Sequence, residues 1–523
     1  MRRVLSIAFI GYLFTVSAPA MAQPPGVGEG GFINLREMNI QKPPDIVAGL
    51  YQQECAVCHG EALQGAAQGS ALVGTDLVFG SSIEDIAKST RDGFPDRGMP
   101  AWSTVLNDDQ VLALAIYISE QRQGTNLDDF RYNAPLIVPN RVIKSEHHDF
   151  TLETVVKDLD ALPFSIQPLS NGLILLTEKT KGLSIITREG KQRPLIRDTP
   201  KAYDDLFDMV GQPMGLGWLM DVALHPDYDL NGLIYLHYGD RCGDCNATSR
   251  ASGQDVSMNK LVRGRIRGGF WIDEQTIWEA DKETYTLMPE IAAGGRITFD
   301  DGGYVYFSVG MKGPLEHIGV QDLTLPYGKI MRLHDDGRVP EDNPFVDDPT
   351  AVQAIWSYGH RNPQGLEFNT DRGQLWSTEM GPRGGDELNL IQMGLNYGWP
   401  LTSKGVNYDG TPVAWGEVLG IDFYVDDMEP PVIDFTPALA ISSFVFYEGA
   451  YFPAWNGSII VGTLRASDLM RIELQYGKES YRETLIENLA RIRDVEVGPG
   501  GEVYILVEHD TGGRIVKLVR VIN

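Results

Sequence analysis

Residues 295–310 read GRITFDDGGYVYFSVG, in which two runs of alternating apolar residues flank a turn of Asp and Gly. Such alternation is typical of β-strands, and a turn rich in Asp and Gly between two runs predicts a hairpin. The same pattern recurs at five other places, residues 164–178, 221–238, 365–379, 443–464 and 494–508. Six copies predict a mostly β fold, a propeller of six four-stranded blades around one axis. A pair of β-sandwiches is the alternative, but six similar units favour radial closure.

The chain before these repeats has a helical pattern over residues 45–123. Apolar residues at helical spacing predict helices over residues 46–54, 83–91 and 108–121, and Asn107 is a good cap for the last of them. A helical domain of this size buries little apolar surface of its own. A large apolar cofactor that is covalently attached would supply the missing core.

The sequence CAVCH places Cys55 and Cys58 one helical turn apart, with His59 directly after them. Two thiols at this spacing can bond the vinyl groups of a haem, and the histidine is then an axial ligand of the iron. In a cytosolic protein a zinc or redox site would be the alternative. Met99 offers a thioether for the sixth position, although a core methionine is an alternative interpretation. The segment from YQQECAVCHG to GMPAW resembles class I cytochrome c, which implies one covalent haem c that carries electrons.

The first 22 residues have the three parts of a secretory signal. Two arginines at positions 2 and 3 precede an apolar run over residues 5–16, and Ala-Met-Ala at residues 20–22 is a small-x-small cleavage site. No other stretch reaches the roughly 18 apolar residues that a transmembrane helix needs. We therefore expect a periplasmic protein without a membrane span, with a retained anchor as the alternative.

Length, charge and cysteine usage narrow the possibilities further. The 523 residues predict at least two domains, and a formal net charge of −27 argues against a nucleic-acid partner, which would need clustered Lys and Arg. Cys242 and Cys245 lack a following histidine, so a small structural disulfide is favoured over a second haem site. The predicted division is a signal peptide at 1–22, an N-terminal extension at 23–44, a cytochrome c domain at 45–123, a linker at 124–149 and the propeller at 150–523.

The most specific stretches of the propeller half lie between residues 358 and 400 and read YGHRNPQGLEF, TEMGPRGGDELNLI and LNYGWP. Together with PALAISSFVFY and ARIRDV nearer the C-terminus, they resemble the soluble quinoprotein glucose/sorbosone and aldose-sugar dehydrogenases. The resemblance covers essentially all of residues 150–523. It implies a six-bladed propeller that holds pyrroloquinoline quinone (PQQ) and calcium and that oxidises a sugar or another alcohol.

The resemblance also implies which side chains contact PQQ. They are Arg361, Asn362, Gln364, Arg465 (where the family usually has lysine), Arg491 and Arg493, with Gln212 as a further candidate. This set is physically sensible, because PQQ carries three carboxylates and arginine binds a carboxylate through two parallel hydrogen bonds. The carbonyls of Gly381 and Pro382 match the catalytic calcium site, and Glu387 and Tyr397 match a second calcium position.

The family's general base is a histidine in a pattern of the form H-x-G/S-G-R, but this chain reads AAGGR from Ala292 onward. Oxidation of an alcohol by hydride transfer needs a group that accepts the hydroxyl proton, and the alanine at the histidine position cannot do so. Glu290 and His317 are the nearest candidates for a substitute base. Gln212 reaches the position of a further family residue only after a short insertion, because an ungapped alignment puts Leu216 there.

Two functions remain open from the sequence. The first is a quinohaemoprotein dehydrogenase, in which a sugar or alcohol is oxidised at PQQ and electrons pass to the haem and then to a respiratory acceptor. The second is a non-catalytic electron-transfer or ligand-binding protein with a degenerate propeller. The intact arginine set favours the first.

Overall fold

The described chain consists of a helical N-terminal part and a larger β part. The computed structural model describes residues 45–125, 130–209, 212–247, 249–250, 254–312, 317–413, 416 and 419–522. The predicted signal peptide and N-terminal extension lie outside the described residues. Within the described ranges, no helix is long and apolar enough to cross a membrane.

Four helices make up the N-terminal part: α1 (Ile46–Glu54), α2 (Ala56–His59), α3 (Ile83–Asp92) and α4 (Asp108–Gln123). Each of the three longer helices begins at a side chain that caps it, Asp45, Ser82 or Asn107, because these side chains accept hydrogen bonds from the first free backbone N–H groups. Most of α4 is buried, and it packs on α1 and α3. The three predicted helices are confirmed, although α3 and α4 end slightly later than predicted.

The β part contains strands that the chain visits in order around an axis. The first half comprises β1 (Phe150–Val156), β2 (Pro163–Pro168), β3 (Ile174–Glu178), β4 (Gly182–Ile186), β5 (Phe207–Met209), β6 (Gln212–Met214), β7 (Leu219–Leu224), β8 (Ile234–Cys242), β9 (Val256–Arg267), β10 (Phe270–Glu279), β11 (Gly294–Phe299), β12 (Val305–Val309), β13 (Lys329–Leu333) and β14 (Ile355–Tyr358). The second half comprises β15 (Pro363–Asn369), β16 (Gln374–Glu379), β17 (Glu387–Ile391), β18 (Ile433–Asp434), β19 (Ile441–Phe446), β20 (Ile459–Thr463), β21 (Leu469–Gln475), β22 (Lys478–Ile486), β23 (Arg491–Val497), β24 (Val503–Glu508) and β25 (Arg514–Arg520). Two short helices, α5 (Tyr228–Asn231) and α6 (His317–Gln321), lie in the connections.

These strands form a closed ring of six blades. Strands β2–β4, β7–β10, β11–β14, β15–β18 and β19–β22 each form one sheet, and β23–β25 form the last sheet together with β1. The pairing of β1 with β25, from Phe150 opposite Arg520 to Thr154 opposite Val516, joins the start of the propeller to its end. The innermost strands β2, β7, β11, β15, β19 and β23 lie next to one another around the axis. The six-bladed propeller is therefore confirmed, and the β-sandwich alternative is wrong.

Each predicted repeat coincides with the two innermost strands of one blade, which are the most buried. One detail of the prediction is wrong, because the first blade has three described strands rather than four. Between β4 and β5 the chain makes only isolated bridges, from Gln192 back to Ile186 and from Arg197 to Phe270 of the second blade, and β5 and β6 then form a separate hairpin. It thus crosses to the next blade without a fourth strand.

The antiparallel order within each blade brings the start of the innermost strand and the end of the second strand to the same end of the propeller axis. The innermost strand begins where the second strand ends, so Pro363 lies opposite Glu379 and Arg491 lies opposite Glu508. We call this end of the propeller the upper face. Loops that follow the second strands and residues that precede the innermost strands therefore share this face.

The helical part packs on the upper face through Arg383, which lies in the loop after β16. Its guanidinium is buried and contacts Glu120 of α4 at 2.8 Å and Asp45, the cap of α1, at 3.0 Å. The backbone of α1 also donates to the carbonyl of Asp409 at 3.0 Å, and Val406 belongs to the same apolar cluster as the helices. Burial of a paired arginine at this contact fixes the geometry of the two parts, because removal of either partner would leave a buried charge unmatched.

Candidate functional site

The CAVCH segment forms the junction between α1 and α2. Cys55 and Cys58 are free cysteines, and His59 ends α2. The Nδ1 atom of His59 lies 2.8 Å from the carbonyl oxygen of Ser70. A hydrogen bond at Nδ1 leaves Nε2 available to a metal and fixes the orientation of the ring. The residues present therefore fit a haem whose iron is bound by His59.

Met99 lies in the loop between α3 and α4. Its backbone exchanges two hydrogen bonds with Phe94, of 2.8 and 3.2 Å, and the Phe94 ring stacks on Phe79 with the ring centroids 4.0 Å apart. Phe79 and Val57, which lies between the two cysteines, are exposed apolar side chains. Exposed apolar surface near each candidate ligand is the kind of surface that a haem would cover.

The six side chains predicted to contact PQQ collect at the upper face. They come from three neighbouring blades, with Arg361, Asn362 and Gln364 at the start of β15, Arg465 after β20, and Arg491 and Arg493 on β23. All six are buried. Gln364 connects two of these blades, because Arg493 donates to its Oε1 at 2.7 Å and its Nε2 donates to Asn362 Oδ1 at 3.0 Å. The structure thus brings together residues that are far apart in the chain.

Glu508, at the end of β24, is the common partner of three cations at this face. Arg491 and Arg493 donate to its carboxylate at 3.0 and 2.8 Å, and Lys179 Nζ lies 2.6 Å from it. Burial raises the pKa of Glu508, but the charges of Arg493, Lys179 and Arg491 outweigh burial, so the pKa lies below its ordinary value. Burial and the charge of Arg493 lower the pKa of Lys179 to about 7. Three cations around one carboxylate leave an excess of positive charge.

Two further arginines at this face form no ion pair among the described residues, although their charges act on the buried carboxyl group of Asp386. Among the described residues, no carboxylate lies within ion-pair distance of Arg361 or Arg465, and the Nε atom of each is buried without a hydrogen-bond partner. A buried cation without a partner is costly unless a ligand supplies the negative charge. The upper face therefore fits an anion with several carboxylates, which is the donor set that PQQ requires.

Gly381 and Pro382, the predicted calcium ligands, follow β16 directly. The carbonyl of Gly381 accepts a hydrogen bond from Arg361 Nη1 at 2.8 Å, and its N–H donates to Asp386 at 2.9 Å. A cation on the Gly381 carbonyl would compete with the Arg361 guanidinium for the same oxygen. Calcium fits here if Arg361 turns toward a ligand carboxylate, which its free Nε atom allows.

The second predicted calcium position lies within the same blade. Glu387 on β17 pairs in register with Glu379 and with Asp434. Burial and the charge of Glu379 raise the pKa of Glu387 to about 8. Tyr397 uses its hydroxyl to donate to the carbonyl of Leu390, so only its backbone carbonyl remains for a cation. A divalent cation bound here would favour the charged form of the Glu387 carboxyl, because its positive charge offsets the neighbouring carboxyls.

The segment at the expected base position forms a short 3-10 helix, Glu290–Ala292, just before β11. It adjoins the arginine set, because Asn362 Nδ2 donates to the carbonyl of Ile291 at 3.4 Å and Lys312 N donates to that of Ala292 at 3.1 Å. Glu290 is buried, and its Oε1 atom contacts Ser257 Oγ at 2.5 Å and Lys312 Nζ at 3.2 Å. Its Oε2 atom has no hydrogen-bond partner among the described residues.

The two remaining candidate residues, His317 and Gln212, lie in α6 and β6. His317 begins α6, but its side chain lies outside the described part of the chain. Gln212 begins β6 in the hairpin that precedes the second blade. The predicted disulfide between Cys242 and Cys245 is confirmed, and it closes a small loop at the end of β8.

Comparison with known families assigns both parts of the chain. The sequence model described as Glucose / Sorbosone dehydrogenase matches residues 160–519. The chain belongs to the glucose/sorbosone dehydrogenase family. A second match, to the model described as Cytochrome C oxidase, cbb3-type, subunit III, covers residues 43–118 and assigns a cytochrome c domain to the helical part of this family member.

Two relatives in the glucose/sorbosone dehydrogenase family have names that state a sugar substrate. Aldose sugar dehydrogenase YliI of Escherichia coli is 35% identical over 311 residues, which cover 58% of this chain and 77% of that protein. Quinoprotein glucose dehydrogenase B of Acinetobacter calcoaceticus is 25% identical over 460 residues, which cover 73% of this chain and 90% of that protein. The crystal structure of the soluble aldose sugar dehydrogenase of Escherichia coli in its apo form is 30% identical, with a TM-score of 0.59, and the match covers 71% of this chain and 100% of that one. A propeller of this family joined to a cytochrome c domain makes the protein a cytochrome-linked dehydrogenase.

One buried network at the upper face of this family member was missed by sequence reasoning. Ser357 Oγ lies 2.8 Å from His360 Nε2, and His360 Nδ1 lies 3.0 Å from Glu379 Oε2. Glu379 also accepts a hydrogen bond from the backbone N–H of Arg361, so this chain of side chains fixes the start of β15. A repeated signal could have found part of this network, because three of the six predicted repeats end in glutamate and the structure puts all three, Glu178, Glu379 and Glu508, at the upper face.

Proposed function

We propose that the protein is a periplasmic quinohaemoprotein dehydrogenase, which oxidises a sugar or another alcohol at PQQ and calcium and passes electrons to a covalent haem c. The observation that carries this proposal is the cluster of buried arginines at the upper face, two of which form no ion pair among the described residues. Arg361 and Arg465 have no carboxylate partner among the described residues, and Arg491 and Arg493 share one carboxylate with Lys179. The name of the Acinetobacter relative, a quinoprotein, supports the choice of PQQ as the anion.

We propose that the chain is divided into a cytochrome c domain at 45–123, a linker at 124–149 and the propeller at 150–523. Cys55 and Cys58 would bond the haem, and His59 and Met99 would bind its iron. The first calcium would take the carbonyls of Gly381 and Pro382, and the second would take Glu387 and Tyr397.

PQQ, when bound, supplies a quinone that accepts the two electrons and the hydrogen removed from an alcohol carbon.

The chain's own residues would first bind and orient the cofactor. Arg465, Arg491 and Arg493 offer guanidinium groups to its carboxylates, since arginine binds a planar carboxylate through two parallel hydrogen bonds. Asn362 and Gln364 already form one hydrogen-bonded chain with Arg493, so they would hold the cofactor edge in a fixed orientation. Burial of the whole set excludes water and strengthens each of these contacts.

Glu290 is the proposed proton acceptor. Ser257 Oγ and Lys312 Nζ hold its Oε1 atom at 2.5 and 3.2 Å. Its Oε2 atom is buried and has no hydrogen-bond partner among the described residues. The proposal requires that the bound substrate hydroxyl reaches this atom, whose lone pair then accepts the hydroxyl proton. The alcohol then becomes a carbonyl as its carbon loses hydrogen. His317 is the second candidate for this step.

Ala292 supports a second candidate function. If neither Glu290 nor His317 reaches a substrate hydroxyl, the propeller binds a ligand without turnover and the protein is a non-catalytic electron-transfer or ligand-binding protein. The presence of Lys312 beside Glu290 agrees with this alternative as well, because an ion-paired carboxylate also serves a purely structural role.

The decisive experiment follows the α-band of the haem in oxidised, purified protein. The protein is reconstituted with PQQ and calcium and then given a panel of aldoses and simple alcohols. Reduction of the haem that requires substrate, PQQ and calcium together is the expected result. Binding of PQQ without reduction by any substrate would favour the non-catalytic alternative, and absence of PQQ binding would exclude the quinoprotein assignment.

A further inference from the structure

The segment 130–134, which follows the cytochrome domain in the chain, is fixed along the rim of the upper face. The backbone N–H of Asp510 donates to the carbonyl of Tyr132 at 2.8 Å, and His509 Nε2 lies 2.7 Å from the carbonyl of Ala134. Both partners come directly after β24, whose last residue is the shared carboxylate Glu508. The segment thus lies beside the cation cluster although it is no part of any blade.

Two aromatic residues of this segment contact the candidate cofactor arginines. The guanidinium carbon of Arg491 lies 4.0 Å from the centroid of the Tyr132 ring. Arg491 also donates to the Tyr132 hydroxyl at 3.2 Å and to the carbonyl of Phe130 at 2.6 Å. The guanidinium carbon of Arg465 lies 5.9 Å from the centroid of the Phe130 ring. One short segment therefore touches both arginines.

These contacts orient the arginines without exhausting their donors. A guanidinium has five N–H donors, and Arg491 uses three of them, toward Glu508, Phe130 and Tyr132. Arg465 has a ring on one side, and its guanidinium has no hydrogen-bond acceptor among the described residues. An aromatic ring against the flat face of a guanidinium restricts its rotation and removes water, while the N–H edge stays free for a carboxylate.

We infer that the segment 130–134 is a wall of the PQQ site, in which Tyr132 positions Arg491 and Phe130 positions Arg465 for carboxylates of the cofactor. The inference rests on the proposed function and deepens it, because the cofactor site is then built partly from outside the propeller. The linker that carries the haem domain would thereby also set the affinity of the chain for its quinone.

The affinity of the full-length apo chain for PQQ in the presence of calcium tests this inference. Quenching of protein fluorescence by PQQ gives the dissociation constant. We expect Tyr132→Ala to raise this constant about tenfold and Phe130→Ala about threefold, the range of cation–π contacts at partly buried sites. Tyr132→Phe, which keeps the ring and loses one hydrogen bond, should raise it about threefold. Tyr476→Ala is the matched control, because Tyr476 is 95% exposed at the turn between β21 and β22.

A double-mutant cycle separates positioning from a general structural effect. If Tyr132 acts through Arg491, Tyr132→Ala should have no further effect on the dissociation constant in an Arg491→Met background. If Tyr132→Ala weakened PQQ binding by the same factor in the unchanged chain and in Arg491→Met, the positioning role would be overturned. Equal affinity of Tyr132→Ala, Tyr132→Phe and the unchanged chain would overturn the inference and leave the proposed function standing. No binding of PQQ by the unchanged chain would overturn both.

Discussion

The upper face has two halves that differ in how completely their charges are matched. In the cation half, Arg361 and Arg465 form no ion pair among the described residues, and Glu508 pairs with three cations. In the proton half, beside Ala292, the buried carboxylate of Glu290 is already paired with a buried lysine, with its Oε1 atom 3.2 Å from Lys312 Nζ. The first half is open to a charged ligand, whereas the second is charge-balanced by itself.

Anion binding and proton transfer place unequal demands on a site. An anion needs positive charge and N–H donors, which lysine and arginine both supply, so Arg465 can stand where the family usually has lysine. A proton acceptor needs one atom at one position within hydrogen-bond reach of the reacting hydroxyl. A nearby side chain therefore has to accept the proton in place of a histidine at position 292, while the cation half tolerates the replacement of lysine by arginine.

Glu290→Gln is the change with the largest expected effect on this comparison. The amide keeps the volume of the side chain but cannot accept the hydroxyl proton, so the rate of substrate-driven haem reduction should fall about 10²- to 10⁴-fold. The dissociation constant for PQQ should change less than about twofold, because the cation half is untouched. Stopped-flow absorbance at the haem α-band and fluorescence quenching by PQQ measure the two quantities.

Glu283→Gln, at an exposed glutamate of a nearby 3-10 helix, is the control for loss of charge. Glu290→Asp should retain part of the rate, since it keeps a carboxylate at shorter reach. An unchanged rate in Glu290→Gln would move the proton acceptor elsewhere, and His317→Ala would then be the next variant to measure.

Arg465→Met tests the cation half by removing a buried charge that forms no ion pair among the described residues. The dissociation constant for PQQ should rise at least about 30-fold, equal to about 2 kcal/mol of binding free energy. The free energy of unfolding of the apo chain should rise, or at least not fall, because the buried guanidinium is uncompensated in the absence of ligand. Urea unfolding monitored by tryptophan fluorescence measures the second quantity.

Arg338→Met, at a side chain that is 71% exposed, is the control for this pair of measurements. A loss of stability in Arg465→Met without a loss of PQQ affinity would mean that this arginine is structural. The cation half would then be no more open to ligand than the proton half.

Ala292→His tests whether the missing histidine explains the unusual proton half. In the Glu290→Gln background, a histidine at this position should raise the rate of haem reduction at least about tenfold, a modest share of what a well-placed base supplies. The dependence of that rate on pH should follow the titration of an imidazole near its ordinary pKa. Ala293→His, one residue further on, is the matched control for insertion of a ring. Failure of Ala292→His to raise the rate while PQQ still binds would show that a proton acceptor alone does not complete this half.

The fold could be predicted closely because its determinants are local in sequence, and the candidate haem ligands, which stay a prediction, are local as well. The alternation in residues 295–310 specifies two strands and their turn, and six copies of it specify the ring. Cys55, Cys58 and His59 lie within one helical turn, so their spacing alone brings them together. What sequence could not supply is the packing of the helical part on Arg383, because Glu120 and Asp45 are hundreds of residues away.

The candidate cofactor site could be predicted only through the family resemblance. No periodicity connects Arg361 with Arg465 and Arg493, which share one face because the innermost strands begin where the second strands end. Lys179 and Glu508 were missed because a charged residue at a strand end is ordinarily solvent-exposed, whereas closure of the ring buries both here. Tyr132 lies outside every repeat, so no pattern marked it.

His237 is the basis of the smallest expected effect, and it concerns the stability of the proton half. The ring is fully buried, and its Nε2 lies 3.1 Å from Asn259 Nδ2, which in turn donates to the carbonyl of Ala293. Burial lowers the pKa of His237 to about 3, against an ordinary value of about 6.5 in the unfolded chain. Below pH 6.5 the unfolded chain takes up a proton that the folded protein refuses, so the stability held by the neutral imidazole is present above pH 6.5 and is lost as the pH falls toward 3.

A lowering of the pH from 7 to 5.5 should therefore cost the wild-type chain about 1 kcal/mol more unfolding free energy than it costs His237→Phe, which has no proton to bind. Urea unfolding at the two pH values measures the difference, and only the change with pH is compared, since the substitution also alters packing against Phe307. His147→Asn, at an exposed histidine, is the control. An equal loss in His237→Phe and the wild type would mean that other groups dominate acid sensitivity. In that case the proton half would owe its stability to the Glu290 and Lys312 pair and not to an imidazole held neutral beneath it.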